Sequence, residues 1–179
     1  MRDWNVVVSV YREGFTRVLR ALGDLGPIAK SPYYNVLVMR ADDPITLLTA
    51  IEKRTEENTA LYDAISRVAP ASRSFEFYSA EDFVEKAKHI IGEWSANLAG
   101  HAFHVRLHRR GAKYDSKTQD TEHLLNDVVL NAAAKAGRPA KVSFTDPDAV
   151  IAIDTVDDRA GLALWTREDL ARHRLLRPD

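Results

Sequence analysis

Between residues 101 and 110 the chain places three histidines and three arginines: His101, His104, Arg106, His108, Arg109 and Arg110. In FHVRLHRRG, residues 103–111, apolar and polar residues alternate, the period of a strand with one buried face. Phe103, Val105 and Leu107 are expected to face a core, and His104, Arg106 and His108 to face outward. Histidines at such spacing can bind a metal. Arginines can hold phosphate oxygens with a planar fork of donors. Arg106 argues against the metal, because a cation between two ligands repels a second cation. Metal binding, a solvated face and contact with a ligand stay open as readings of the histidines. His123 and His173 are expected at the surface, and His89 is expected to be structural.

The cationic reading extends further along the chain. Arg106, Arg109, Arg110, Lys113 and Lys117 fall within twelve positions. His108 sits among them, Gly111 permits a sharp turn, and Tyr114 adds a ring that can stack on a base. Arg167 belongs to a second group with Arg172, Arg174 and Arg177. The rival account of the strand end is an edge guarded by charge against unwanted pairing.

Other chemistry is thin. Asp42-Asp43, Asp146/Asp148 and Asp157-Asp158 sit in turn sequences, where Asp has a backbone role. No glycine-rich phosphate loop, HExxH or GxSxG is present. The expectation is a chain that is not an enzyme and uses neither cofactor nor metal. With 25 Lys and Arg against 26 Asp and Glu, net charge is −1. Binding of nucleic acid over the whole surface is therefore disfavoured, and a local patch is not. There is no cysteine, so disulfides and thiolate zinc sites are excluded. No apolar run approaches 18 residues, and MRDWNVVVSV reads as a strand rather than a signal peptide. A cytoplasmic location without membrane contact is expected.

The elements that must position these residues form a mixed α/β (α+β) pattern. Strand 4–10, helix 13–25, strands 28–34 and 35–40, a helix from Asp43 to Val68 and a fourth strand at 74–78 give β-α-β-β-α-β. That is the order of a ferredoxin-like domain, assigned to residues 1–78. Asp43 and Pro44 suit the N-cap and first turn of the long helix. Ser79 with Asp82, and Thr166 with Asp169, read as acidic versions of a capping box for two later helices. Residues 79–179 then read as helix 79–98, strand 103–109, helix 120–136 closed by Gly137, and strands 141–144, 149–155 and 162–165. Leu124, Leu125, Val128, Val129 and Ala132 are expected on the inner face of helix 120–136. Asp146-Pro147-Asp148 is expected to fix a turn, and Trp165 to lie in the core.

FHVRLHRRG, the helix around Thr121 to Ala136, VSFTDPDAVIAIDTV (142–156) and RAGLALWTREDL (159–170) resemble the THUMP domain, a module of RNA-modifying proteins. Within that family the chain looks most like the stand-alone tRNA acetylation adaptors. These help an RNA acetyltransferase make N4-acetylcytidine in tRNA. The resemblance implies a ferredoxin-like domain at 1–78 before a THUMP domain at 79–179, and binding of structured tRNA without catalysis. It implies an RNA-modifying partner enzyme such as an acetyltransferase, and no DNA partner. It makes Arg106, His108, Arg109, Arg110, Lys113, Lys117 and Arg167 the expected RNA-binding residues. The chain stops at Asp179, and no fused modifying domain is read after WTREDLARHRLL, in keeping with an adaptor. The alternatives are a protein-interaction module that has lost RNA binding, and an enzyme with a site around His104 and His108.

Overall fold

Val6, Val7 and Val8 are β-branched and buried, and they are the first three residues of β1 (Val6–Val10). There follow α1 (Phe15–Leu22), β2 (Ile28–Lys30), β3 (Val36–Met39), α2 (Pro44–Glu57), α3 (Thr59–Ala64) and β4 (Ile65–Pro70). The strands make one antiparallel sheet in the order β2-β3-β1-β4, with Val6 opposite both Met39 and Pro70. α2 starts as its sequence dictates: Asp43 Oδ1 accepts the N–H groups of Ile45 at 3.0 Å and Thr46 at 3.2 Å, with Pro44 in the first turn. Asn58 ends α2 and caps α3, its side chain accepting from the Leu61 N–H at 3.1 Å.

One expectation fails here. Residues 65–70 are a strand, not the end of a helix, and they supply the fourth strand of this sheet. Leu61, Ile65 and Val68 are spaced like a helical stripe, but pairing with β1 overrides the local pattern. The expected strand at 74–78 exists as β5 (Arg73–Glu76), and it belongs to another sheet.

The structure describes residues 1–111 and 117–179. They fall into two units, Met1–Ser72 with Leu170–Asp179, and Arg73–Asp169. The last ten residues, expected with the second domain, are thus grouped with the first. Leu175 and Leu176 are buried, and the Val68 N–H donates to the Leu175 carbonyl at 2.8 Å. The Glu52 carboxylate accepts from the Leu175 N–H at 3.1 Å and lies 2.8 Å from His173 Nδ1. His173 is therefore buried rather than at the surface. Arg177 donates to the Tyr62 hydroxyl at 2.7 Å, and the Arg174 guanidinium lies 4.8 Å from the centre of the same ring.

The second unit runs β5, α4 (Ala80–Leu98), β6 (Ala102–His108), α5 (Thr118–Lys135), β7 (Lys141–Val142), β8 (Ala149–Val156) and β9 (Arg159–Thr166), and α6 (Arg167–Arg172) contains its end. Its sheet has the order β5-β9-β8-β6-β7, with β6 parallel to both neighbours and the other pairs antiparallel. Local signals hold well. Ser79 Oγ accepts from the Asp82 N–H at 3.0 Å, and Asp82 accepts in return from the Tyr78 N–H. Thr166 and Asp169 exchange both bonds, at 2.9 and 3.1 Å. Gly137, with φ +72°, takes the left-handed position after α5. The core joins Phe83, Ile91 and Leu98 of α4, Leu125 and Val129 of α5, Phe103, Val105 and Leu107 of β6, and Ile151, Ile153 and Leu162. Each such large apolar side chain stabilises the fold by about 1.5–3 kcal/mol. Leu124 lies outside this core and is exposed. No described helix is long and apolar enough to cross a membrane.

β7 pairs with β6 only at Ala102 and Phe103. Beyond that point two buried side chains of α5 take over the backbone of β6. Asn126 Oδ1 accepts from the Val105 N–H at 3.0 Å, and Glu122 Oε1 from the Leu107 N–H at 2.8 Å. Replacing Asn126 with Leu leaves a buried N–H without its acceptor. The expected loss is about 1–3 kcal/mol by urea denaturation; stability equal to wild type would show that these bonds do not secure β6.

Candidate functional site

β6 delivers its polar residues unequally. His104 is 0% exposed; its Nδ1 lies 2.9 Å from the Ser143 carbonyl oxygen, and its ring centroid is 5.0 Å from that of Phe144. The expectation that it faces outward is corrected: the chain following β7 continues alongside β6 and covers it. Arg106 and His108, two and four residues on, share its face and are half-buried. The Arg106 guanidinium stands over Phe144, 5.8 Å from the ring centre, and Phe144 is 51% exposed. This cation–π pair presents a flat, charged surface. Phe144 was not singled out from the sequence. Its position follows from the parallel pairing of β7 with β6, which no local pattern encodes.

At the C-terminal end of β6 the two arginines diverge. Arg110 is fixed: its Nη1 lies 2.8 Å from Asp154 Oδ1, its N–H donates to Thr155 Oγ1, and its carbonyl accepts from the Asp157 N–H. Both charges of this ion pair are largely out of water, where losing one partner is costly. Arg109 instead lines a narrow crevice with Phe77, Ala80, Phe83, Gly111, Thr155 and Asp157. Burial there pushes its pKa down from the ordinary arginine value. A guanidinium remains charged under such a shift.

The same end of the sheet carries Tyr78, which is highly exposed and has the Lys86 ammonium 5.3 Å from its ring centre. Lys117 is exposed at the N-cap position of α5. Lys113 and Tyr114 lie outside the described residues.

Arg167 is not brought to this end. Its N–H donates to the Asp148 carbonyl, and the Asp148 N–H donates to the Ala102 carbonyl, so it sits by the start of β6. From Phe103 to Arg109 a strand spans about 20 Å. Its guanidinium is shared by Asp146 Oδ1 at 2.5 Å and Asp148 Oδ1 at 3.2 Å, which closes the Asp-Pro-Asp turn. His101, 3.7 Å from Asp148, is at this end too, so the three nearby histidines do not converge. Among the described residues no group of three or more His, Asp or Glu side chains could hold a metal ion.

Two acid-sensitive bonds meet at Asp148. The Ala102 N–H first, and the Arg167 guanidinium second, hold its carboxyl below the ordinary 3.8. A depressed carboxyl pKa stabilises the fold above the unfolded value and loses that effect as pH falls through the folded value. Asp148→Asn is therefore expected to be less stable than wild type near neutral pH. The gap should close below about pH 3.8, which denaturant titrations at several pH values would check. A gap independent of pH would show that the charge of Asp148 does not matter.

Residues 77–164 match the family model of the THUMP domain. No curated protein matches the sequence. Among solved structures, PH1313 from Pyrococcus horikoshii Ot3 is similar with a TM-score of 0.62 at 13% identity, over 89% of this chain and 53% of that one. TrmN from Thermus thermophilus is similar with a TM-score of 0.59 at 13% identity, over 89% of this chain and 44% of its own. A 4-thiouridine synthetase–RNA complex with bound ATP has a TM-score of 0.53 at 14% identity, over 91% of this chain and 42% of the other. At these identities the likeness is one of fold. This chain spans about half or less of each of these proteins.

Proposed function

We propose that this chain, which carries a THUMP domain at residues 77–164, binds structured tRNA through the C-terminal end of β6 and the Arg106–Phe144 face. The observation that carries the reading is Arg109, a partly dehydrated guanidinium lining a crevice inside the matched domain. Arg106, His108 and Lys117 extend the proposed contact surface, with Arg110 acting mainly to hold the strand end in place; Lys113, expected to contribute, lies outside the described residues. Phosphate contacts set register and affinity, and Phe144 is placed to stack on an exposed base.

In this reading the chain is a non-catalytic adaptor that presents tRNA to a separate modifying enzyme in the cytoplasm, with cytidine N4-acetylation by an acetyltransferase as the reaction served. Support for an RNA role comes from the domain match and from the similarity of fold to a synthetase in complex with RNA. The first unit is read as ferredoxin-like. Its β-α-β-β-α-α-β order and its sheet order β2-β3-β1-β4 support that reading.

The test is tRNA binding by fluorescence anisotropy across a salt series. Wild type should lose affinity steeply as salt rises. Arg106→Ala with Arg109→Ala should weaken binding about tenfold or more, and lower the log–log salt slope by about one per phosphate contact removed. Arg167→Ala should bind as wild type, because that guanidinium already serves two carboxylates. Unchanged affinity in the double variant would overturn the assignment of this surface.

A further inference from the structure

Residues 173–178 add to an open strand edge of the first unit. β4 is the last strand of its sheet, so its outer side offers main-chain groups to whatever lies beside it. Ser66 and Val68, two apart, present that side. The Val68 N–H donates to the Leu175 carbonyl at 2.8 Å, and the Ser66 carbonyl accepts from Arg177 Nη1 at 3.1 Å. Residues 173–179 belong to no helix or strand of their own. Side chains of α2, α3 and β4 hold them, from positions 111 to 123 residues earlier in the chain.

The receiving surface matches that segment residue by residue. Glu52 and Thr55, three apart on α2, are buried polar side chains. The Glu52 carboxylate is met twice, by the Leu175 N–H and by the His173 ring. A carboxylate out of water is costly unless such partners meet it. Thr55 Oγ1 accepts from Arg174 Nη2 at 3.3 Å. Tyr62 of α3 takes both guanidiniums, Arg174 at 4.8 Å and Arg177 at 5.3 Å from its ring centre. Between these cations Leu175 and Leu176 are buried, as is Pro178 beyond them. Arg177 holds a left-handed backbone with φ +32°, a conformation that a non-glycine residue keeps where its surroundings fix it.

We infer that residues 173–178 are a strap, a peptide ligand carried on the chain itself, which docks on α2, α3 and β4 and completes the first unit. Its recognition pattern is an apolar pair flanked by cations, His-Arg-Leu-Leu-Arg. Residues 1–72 alone leave Glu52 without these two donors and the outer edge of β4 uncovered at Ser66 and Val68. The first unit therefore closes only when the strap docks, whereas residues 73–169 fold without it. The strap uses none of the residues of the RNA-binding reading above and does not depend on it.

The test is hydrogen exchange read by mass spectrometry on the full chain carrying Leu175→Ala and Leu176→Ala. Amides of β1, β3 and β4 should exchange about tenfold faster or more than in wild type, while those of β6 and β8 keep their protection. A synthetic peptide of residues 170–179, added in excess, should restore protection to the first unit by mass action. About tenfold more peptide should be needed when the chain also carries Glu52→Gln, because a charge-assisted acceptor is lost. The same peptide with both leucines replaced by Asp should restore nothing. Wild-type protection in the leucine variant would show that the segment is dispensable and overturn the inference. Equal loss of protection in both units would overturn it too, since the chain would then fold as one cooperative body. Faster exchange that the peptide does not reverse would make the segment ordinary core and overturn the strap.

Discussion

The second unit depends on how the backbone of β6 is satisfied past Phe103. A strand with an unpaired, buried edge leaves polar groups without partners, and each such group costs free energy comparable to a lost hydrogen bond. Asn126 and Glu122 of α5 meet this need with two side-chain acceptors aimed at Val105 and Leu107. The same two bonds lock α5 against the strand that faces the core with Phe103, Val105 and Leu107. They also remove the reason to read the terminal arginines as an edge guard. The edge is covered by a helix.

Charge is then divided between holding the fold and facing outward. Arg110 is committed to Asp154, Arg167 to the Asp-Pro-Asp turn, and Arg174 and Arg177 to Tyr62 in the first unit. These pairs account for much of the cationic density visible in the sequence. Arg109 lines a crevice with Phe77 and Phe83 as well as Thr155 and Asp157, and burial lowers its pKa. Arg106 differs because it lies across an exposed ring. A protein of net charge −1 can concentrate an attractive potential at such points without a basic surface overall.

Much of this was legible in the sequence where the cause is local. The caps at Asp43, Ser79 and Thr166, the glycine after α5 and the alternating face of β6 all rest on residues a few positions apart. What escaped depends on partners far along the chain. Ile65 to Pro70 carries helical spacing but pairs with β1, some sixty residues earlier. His104 looked solvent-facing until Ser143 and Phe144 covered it, and His173 looked like a tail residue until Glu52 received it. Of the seven expected RNA-binding residues, Arg167 is separated by the length of a strand from Arg109 and Arg110.

The central claim is that RNA lies at the C-terminal end of β6. Ultraviolet crosslinking of tRNA to the purified chain, followed by mass spectrometry of the peptides, tests it without any substitution. Crosslinks should map to residues 106–111, to Phe144 and to Tyr78. Crosslinks confined to the opposite end of the sheet, around His101, Asp146 and Arg167, or none at all in this unit, would contradict it.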